Sequence, residues 1–304
     1  MKLVSIGTVA FDTIETPYGK AERVVGGAAT YISLAASYFT TDLGLVSVVG
    51  GDFPEEELKY MQKRGINLDG LQIKKDEKSF FWAGRYHNNM NSRDTLDTQL
   101  NVLADFKPKL PASYRNAKFL MLGNLTPEIQ SKVIGQMNKK PKLIVMDTMN
   151  FWMDIAMPAL KRTIKKVDVL TINDEEARQL SGEYSLVNAA KAIHKMGPKV
   201  IVIKKGEHGA LLFYNNKMFY APALPLAQVY DPTGAGDTFA GGFIGYLTQV
   251  NSTTFENMKR AVIFGSVMAS FCVEEFSIAR LKGLKKTAIK KRLKQFEQLT
   301  SFSM

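Results

Sequence analysis

Short apolar runs that alternate with helix-like segments set the tightest limit on how this chain can fold. The runs Leu3–Gly7, Leu43–Val49, Phe119–Leu122, Leu143–Asp147, Val167–Ile172 and Val200–Lys204 are almost wholly apolar. Runs of that kind read as strands covered on both faces. Between and after them come segments with helical spacing: Glu55–Gly65, Pro127–Met137, Ile155–Lys166, Glu175–Leu180 and Leu186–Met196. The alternation predicts parallel β-α-β units, and so an α/β fold with a central, mainly parallel sheet and helices on both faces. Ahead of 55–65, Asp52 is a candidate cap and Pro54 sits at the first turn.

Two regions break the rhythm. Asp12–Val25 carries a Pro-Tyr-Gly turn between alternating segments and reads as a hairpin. Leu71–Ala104 contains the alternating runs Ser79–Tyr86 and Thr95–Leu103 with no clear helix. Together they predict a small β lid, with segments at about 11–25 and 71–104 inserted in one domain spanning 1–304. The expected place for such a lid is over the carboxyl ends of the main strands, where open α/β sheets bind ligands.

Composition narrows the function classes. Of 304 residues, 45% are hydrophobic, enough for one large core. No apolar run approaches the ~20 residues of a membrane span. The start, MKLVSIG, lacks a signal-peptide layout, so the expectation is a cytoplasmic protein. One cysteine, Cys272, and three dispersed histidines speak against a disulfide or a zinc cluster. The net charge of +11 raises the question of nucleic acid, but the eight basic residues from Arg280 to Lys294 leave only +3 elsewhere. That stretch has Ile289, Leu293 and Phe296 on one stripe, so it reads as an amphipathic helix with a solvated basic face, and no nucleic-acid partner is expected.

The segment Asp231–Tyr246, DPTGAGDTFAGGFIGY, holds the most chemistry. Small residues at 234–236 precede a helical pattern through Phe239, Phe243 and Leu247. Amides at such a helix start point at an anion, and the helix dipole adds to the attraction. Asp237 lies in the first turn, where a carboxylate can take a proton from an alcohol beside that anion cradle. The segment is not a P-loop, since G-x-x-x-x-G-K-[ST] is nowhere in the chain. A Gly-rich turn with Asp as a helix cap is the plainer reading of the same residues.

The motif D-P-T-G-A-G-D-T-F-x-G-G-F resembles the C-terminal signature of the ribokinase-like (PfkB) carbohydrate kinases. Val25–Ala35 is similar to that family's N-terminal Gly-Gly segment, Asn173-Asp174-Glu175-Glu176 to its N-x-x-E motif, and Lys204–Leu211 to its nucleotide loop. The resemblance implies an ATP- and Mg2+-dependent phosphotransferase acting on an alcohol group of a small sugar or sugar-like substrate, with a nucleoside as the alternative acceptor. It implies Asp237 as the base, with the backbone of Gly234, Ala235 and Gly236 as the anion hole. It implies Asn173 and Glu176 around magnesium, and Asp231 and Thr233 beside a K+ ion in potassium-activated members. Asn173, Lys204, Gly206, Gly209, Gly234 and Gly236 would meet the nucleotide. Asp12, Gly26, Gly27 and Asp237 would meet the acceptor, and in some relatives the lid strands pair two subunits into a homodimer.

Plainer readings stand beside these. N-D-E-E after a strand is also a helix start, Gly206 and Gly209 also suit a hairpin, and Asp12 also suits a turn. Two positions depart from the ribose-binding pattern: Ala10 and Tyr31 stand where such members often carry Asn. Tyr31 therefore enters as an aromatic acceptor contact, and Phe11, Phe81 and Trp82 are candidates to stack on a base or to fill the core. Asp147 and Asn150 form a D-x-x-N segment of undefined role. Arg85, His87, Asn89, Asn91 and Arg93 form a polar lid cluster that faces either substrate or solvent.

Overall fold

The computed structural model describes residues 1–301. Its strands are β1 (Leu3–Ile6), β2 (Ala10–Thr16), β3 (Gly19–Gly26), β4 (Leu43–Gly50), β5 (Ile66–Lys74), β6 (Phe81–Tyr86), β7 (Arg93–Gln99), β8 (Phe119–Leu122), β9 (Leu143–Asp147), β10 (Val169–Asn173), β11 (Val200–Lys204), β12 (Ala210–Tyr214) and β13 (Lys217–Ala221). Its helices are α1 (Ala28–Ala36), α2 (Glu55–Lys63), α3 (Pro127–Gly135), α4 (Asn150–Ile155), α5 (Met157–Ile164), α6 (Asp174–Ser181), α7 (Leu186–His194), α8 (Ala235–Val250), α9 (Phe255–Cys272), α10 (Ala279–Lys282) and α11 (Lys286–Thr300).

Nine strands form one sheet in the order β13-β12-β11-β10-β9-β8-β1-β4-β5, parallel except for the β11-β12-β13 edge. Strands β1, β4 and β8 are buried throughout, because helices cover both faces. Tyr31, Ile32, Phe239, Phe243 and Phe271 of α1, α8 and α9 fill one side. Val133, Leu160, Ile164, Ala177 and Ile193 of α3, α5, α6 and α7 fill the other. Full burial of a Val, Leu, Ile or Phe side chain among them contributes about 1.5–3 kcal/mol. Three neighbouring strands end on a polar residue: Asp147 on β9, Asn173 on β10 and Lys204 on β11. Those three ends share the carboxyl edge of the sheet.

The second sheet, β3-β2-β6-β7, is the lid. Its hairpin, β2 with β3, turns at Pro17–Tyr18 as the sequence predicts. Its outer strand β7 is exposed at every residue. The second lid segment is narrower than expected, since β5 carries residues 66–74 into the large sheet beside β4.

Three further expectations change. The helix expected over 155–166 is α5, which starts at Met157 with Pro158 in its first turn, and a separate short helix, α4, precedes it. Asp52 does not cap α2; Pro54 occupies that position. Asp52 instead accepts the Ser79 amide at 2.8 Å and hydroxyl at 2.7 Å, and the Arg23 guanidinium at 2.6 Å, and so ties both lid segments to the body. The basic stretch is not wholly solvated: Arg280 and Arg292 grip Glu274 at 2.7 and 2.6 Å, and Lys282 pairs with Glu57 at 2.6 Å. Lys290, Lys291 and Lys294 remain exposed, while Ile289 and Phe296 are buried. No helix among the described residues is long and apolar enough to cross a membrane.

Candidate active site

The site lies where the start of α8, the ends of β9, β10 and β11, and the inner face of the lid converge. At the start of α8, Gly234 takes a left-handed φ of 73°, and a Cβ there would stand 2.4 Å from the Tyr31 ring. The Ala235 amide donates to the Pro232 carbonyl at 3.2 Å. Among the described residues the amides of Gly236 and Asp237 meet no carbonyl of the preceding loop. Within the expected 234–236 span, only the Ala235 amide is taken up by the loop, since the Gly234 amide too meets no carbonyl among the described residues.

Asp237 sits in that first turn. Burial pushes its carboxyl well above the ordinary range and Asp147 pushes the same way, while Lys204 and Arg93 oppose them. Lys204 donates to Asp147 Oδ2 at 2.9 Å, and a Cβ on Gly236 would stand 3.1 Å from the Lys204 ammonium. The ammonium thus lies against the start of α8. Asn173 and Glu176 form a reciprocal capping box on α6: Asn173 Oδ1 accepts the Glu176 amide at 2.7 Å, and Glu176 Oε2 accepts the Asn173 amide at 2.8 Å. The helix-start reading of that motif therefore holds. Burial raises Glu176 to about 7 against the pull of Lys204.

Asp12 is buried on β2, and a Cβ on Gly26 would stand 1.9 Å from its Oδ2. Burial, with Asp231 behind it, raises Asp12 to about 7. Gly27, at φ 92°, packs on the Thr8 carbonyl. Asp12 and Trp82 are register partners on adjacent strands. The Trp82 indole lies across Gly84, where a Cβ would stand 2.1 Å from the ring, and Trp82 donates to Thr95 Oγ1 at 3.3 Å. Thr233 Oγ1 donates to Tyr86 Oη at 3.2 Å, so the inner face of the lid touches the α8 loop.

The lid cluster separates by role. Arg85 grips Glu15 at 2.8 Å, His87 meets Asp94 at 2.9 Å, and Asn89 closes the turn by accepting the Asn91 and Ser92 amides. Asn91 lies against Gly206, which has φ 54°. Arg93 sits 5.6 Å from the Trp82 ring centre and 6.0 Å from that of Tyr86, with no acidic partner within 4.0 Å among the described residues. Its charge reaches Asp12, Glu176 and Asp237. Gly206 and Gly209 lie in the β11–β12 connection, where Gly209 packs on the Ala221 carbonyl, so the hairpin reading holds there as well.

Tyr31 is the clearest departure from expectation. It is 1% exposed beneath Gly234, so it supports the loop and offers no stacking face. Phe11 likewise belongs to the interior, 5.3 Å from the Phe53 ring. The Asn150 side chain accepts the adjacent Phe151 amide at 3.0 Å.

Two ions implied by the motifs can be tested on these residues. Magnesium takes few protein ligands and keeps its waters. No cluster of three acidic, His or Cys groups able to hold a metal occurs among the described residues. Glu176 keeps one oxygen outside the capping box, which suits a sparsely held, hydrated ion. Asp231 is fully buried and gives its two oxygens to the Thr233 and Ser277 amides at 2.8 and 2.9 Å. A potassium ion would have to share them.

Known proteins resemble this chain in both sequence and fold. Residues 1–281 match the pfkB family carbohydrate kinase profile. The chain belongs to that family. This kinase is 30% identical over 252 residues to a cytidine kinase of Thermococcus kodakarensis, covering 81% of this chain and 88% of the relative. Among solved structures it resembles a Methanocaldococcus jannaschii nucleoside kinase at TM-score 0.77 and 18% identity, covering 97% and 99% of the two chains. It also resembles a Cryptococcus neoformans ribokinase in complex with ADP at TM-score 0.77 and 21% identity, covering 96% and 99%. Its class is thereby fixed as a phosphotransferase with an alcohol acceptor, on a ribokinase-like fold. Asp147 and Arg93 are the site residues that sequence reasoning left without a role; the polar end of the β9 run was the available signal for the first.

Proposed function

We propose that this kinase transfers the terminal phosphoryl group of ATP to a primary hydroxyl of a nucleoside. The observation that carries the nucleoside reading is the Trp82 indole laid across Gly84 beside Asp12, its register partner. A carboxylate that accepts two hydroxyls suits the ribose diol, and a flat indole beside it suits an aromatic base. The similarity to a cytidine kinase supports the same acceptor class. A free sugar would use Asp12 and leave the indole idle.

In this reading Asp237 takes the proton of the attacking hydroxyl, and the carboxyl raised by burial is a stronger base than an exposed aspartate. The Gly236 and Asp237 amides, at the positive end of α8, face the charge of the migrating phosphoryl group and lower the barrier by about 3 kcal/mol per donor. Lys204 adds a fixed positive charge beside them. Asn173 and Glu176 would hold magnesium, which when bound neutralises phosphate charge. Arg93 and Tyr86 of the lid close the site over the acceptor, and the Asn91–Gly206 contact joins the lid to the nucleotide loop.

The test is ADP release with ATP, magnesium and a panel of nucleosides and free sugars, each with and without potassium. Faster turnover of cytidine, inosine or adenosine than of every free sugar supports the proposal. Faster turnover of ribose or fructose would overturn the nucleoside assignment and return a sugar kinase.

A further inference from the structure

We propose that Asp147 is a positioning residue that anchors the Lys204 ammonium against the start of α8, where the terminal phosphate of ATP arrives. The inference rests on the phosphotransfer reading above and assigns a role to a residue that reading leaves unused. Lys204 ends β11 and is level with Asn173 on β10, while Asp147 ends β9 on the far side of β10. Adjacent strands lie about 4.8 Å apart, so the lysine stem crosses the whole end of β10 to reach its partner.

The partner is rigid. Asp147 Oδ1 accepts its neighbour's Thr148 amide at 2.9 Å, and the Asp147 carbonyl accepts Gln130 Nε2 at 2.9 Å. The same Gln130 nitrogen donates to the Gly123 carbonyl at 2.9 Å, which locks the end of β9 to the end of β8. Oδ2 is left for Lys204 at 2.9 Å. The two side chains are only 6% and 17% exposed. A buried ion pair of this kind is poor value for stability alone, since an apolar pair of the same volume is often as stable. Its geometry supplies a different reason.

Three acidic side chains act on the charge of this ammonium: Asp147, Glu176 and Asp237. Among the described residues only Asp147 bonds to it and the Asp237 carboxyl has no ion-pair partner, so Asp237 stays able to accept a proton. An ammonium has three donors. One is spent on Asp147, and the ammonium faces Gly236 across the close approach described above. Without Asp147, the flexible stem is free to swing toward Asp237 and withdraw both the base and the positive charge.

The experiment compares Asp147→Asn, Lys204→Met and the double variant, each confirmed folded by its melting transition. Two readouts are taken: kcat and KM with the acceptor that turns over fastest, and affinity for ADP and for a non-hydrolysable ATP analogue. We expect Asp147→Asn to lower kcat about 10–100-fold with acceptor KM nearly unchanged, the scale set by loss of a group that orients a site residue. Analogue affinity should fall about tenfold while ADP affinity holds within about twofold. Asp147→Glu should recover part of both losses. Adding Asp147→Asn to Lys204→Met should change neither readout further. Additive losses in the double variant, or an Asp147→Asn enzyme with unchanged kcat and analogue affinity, would overturn the proposal. If wild type releases no ADP with any acceptor, the phosphotransfer reading fails, and the binding readout still decides the pairing of Asp147 with Lys204.

Discussion

At the scale of single residues, the site is a set of carboxyl groups held out of water. Asp237, Asp12 and Glu176 all resist ionisation, in each case chiefly through burial. In the proposed mechanism Asp237 must be ionised to accept a proton, and Asp12 to accept two hydroxyls. Both requirements have the same sign. The rate with saturating ATP should therefore climb from pH 5 toward neutrality in a composite limb, because interacting groups titrate together. A rate flat between pH 5 and 8 would contradict this environment. Asp237 stands out in the sequence because it directly follows the small residues of one short motif. Tyr31, expected as an aromatic acceptor contact in place of an Asn, is turned inward by α1 beneath Gly234.

At the scale of elements, the carboxyl ends of β9, β10 and β11 were readable, since the runs 143–147 and 200–204 stop on a polar residue and Asn173 directly follows the run 167–172. Their pairing was not. Asp147 and Lys204 are 57 residues apart and meet only because β10 lies between their strands. The lid was readable as alternating strands, but which face carries Trp82, Tyr86 and Arg93 depends on a register that is irregular between Ala83 and Gly84. Gly84 is the point at which this face can be tested. Gly84→Val places methyl groups where the indole lies, so the ring must leave. Acceptor KM should rise at least about tenfold, comparable to the loss of one stacked base, with ATP KM little changed. Trp82→Ala should behave alike, and an unchanged acceptor KM in both would remove the indole from recognition.

At the scale of the whole molecule, the same buried carboxyls link site chemistry to stability. Asp12 and Glu176 titrate near 7 in the folded chain, against ordinary values of 3.8 and 4.5 when unfolded. Between those limits the folded state holds more protons than the unfolded one, so the contribution of these groups to stability falls as pH rises from about 4 to 7. Asp12→Asn should then raise the melting temperature of the ligand-free enzyme more at pH 8 than at pH 5. An equal effect at both pH values would show that the folded chain does not perturb this carboxyl. The cost is maintained by a core that covers both faces of a nine-stranded sheet.

The turnover of Asp237→Asn bears most directly on the whole account. The substitution keeps the shape of the α8 start and removes only the capacity to accept a proton. Nucleotide affinity should stay close to wild type while kcat falls at least about 100-fold. A variant that turns over at near the wild-type rate would contradict the assignment of proton abstraction to this carboxylate.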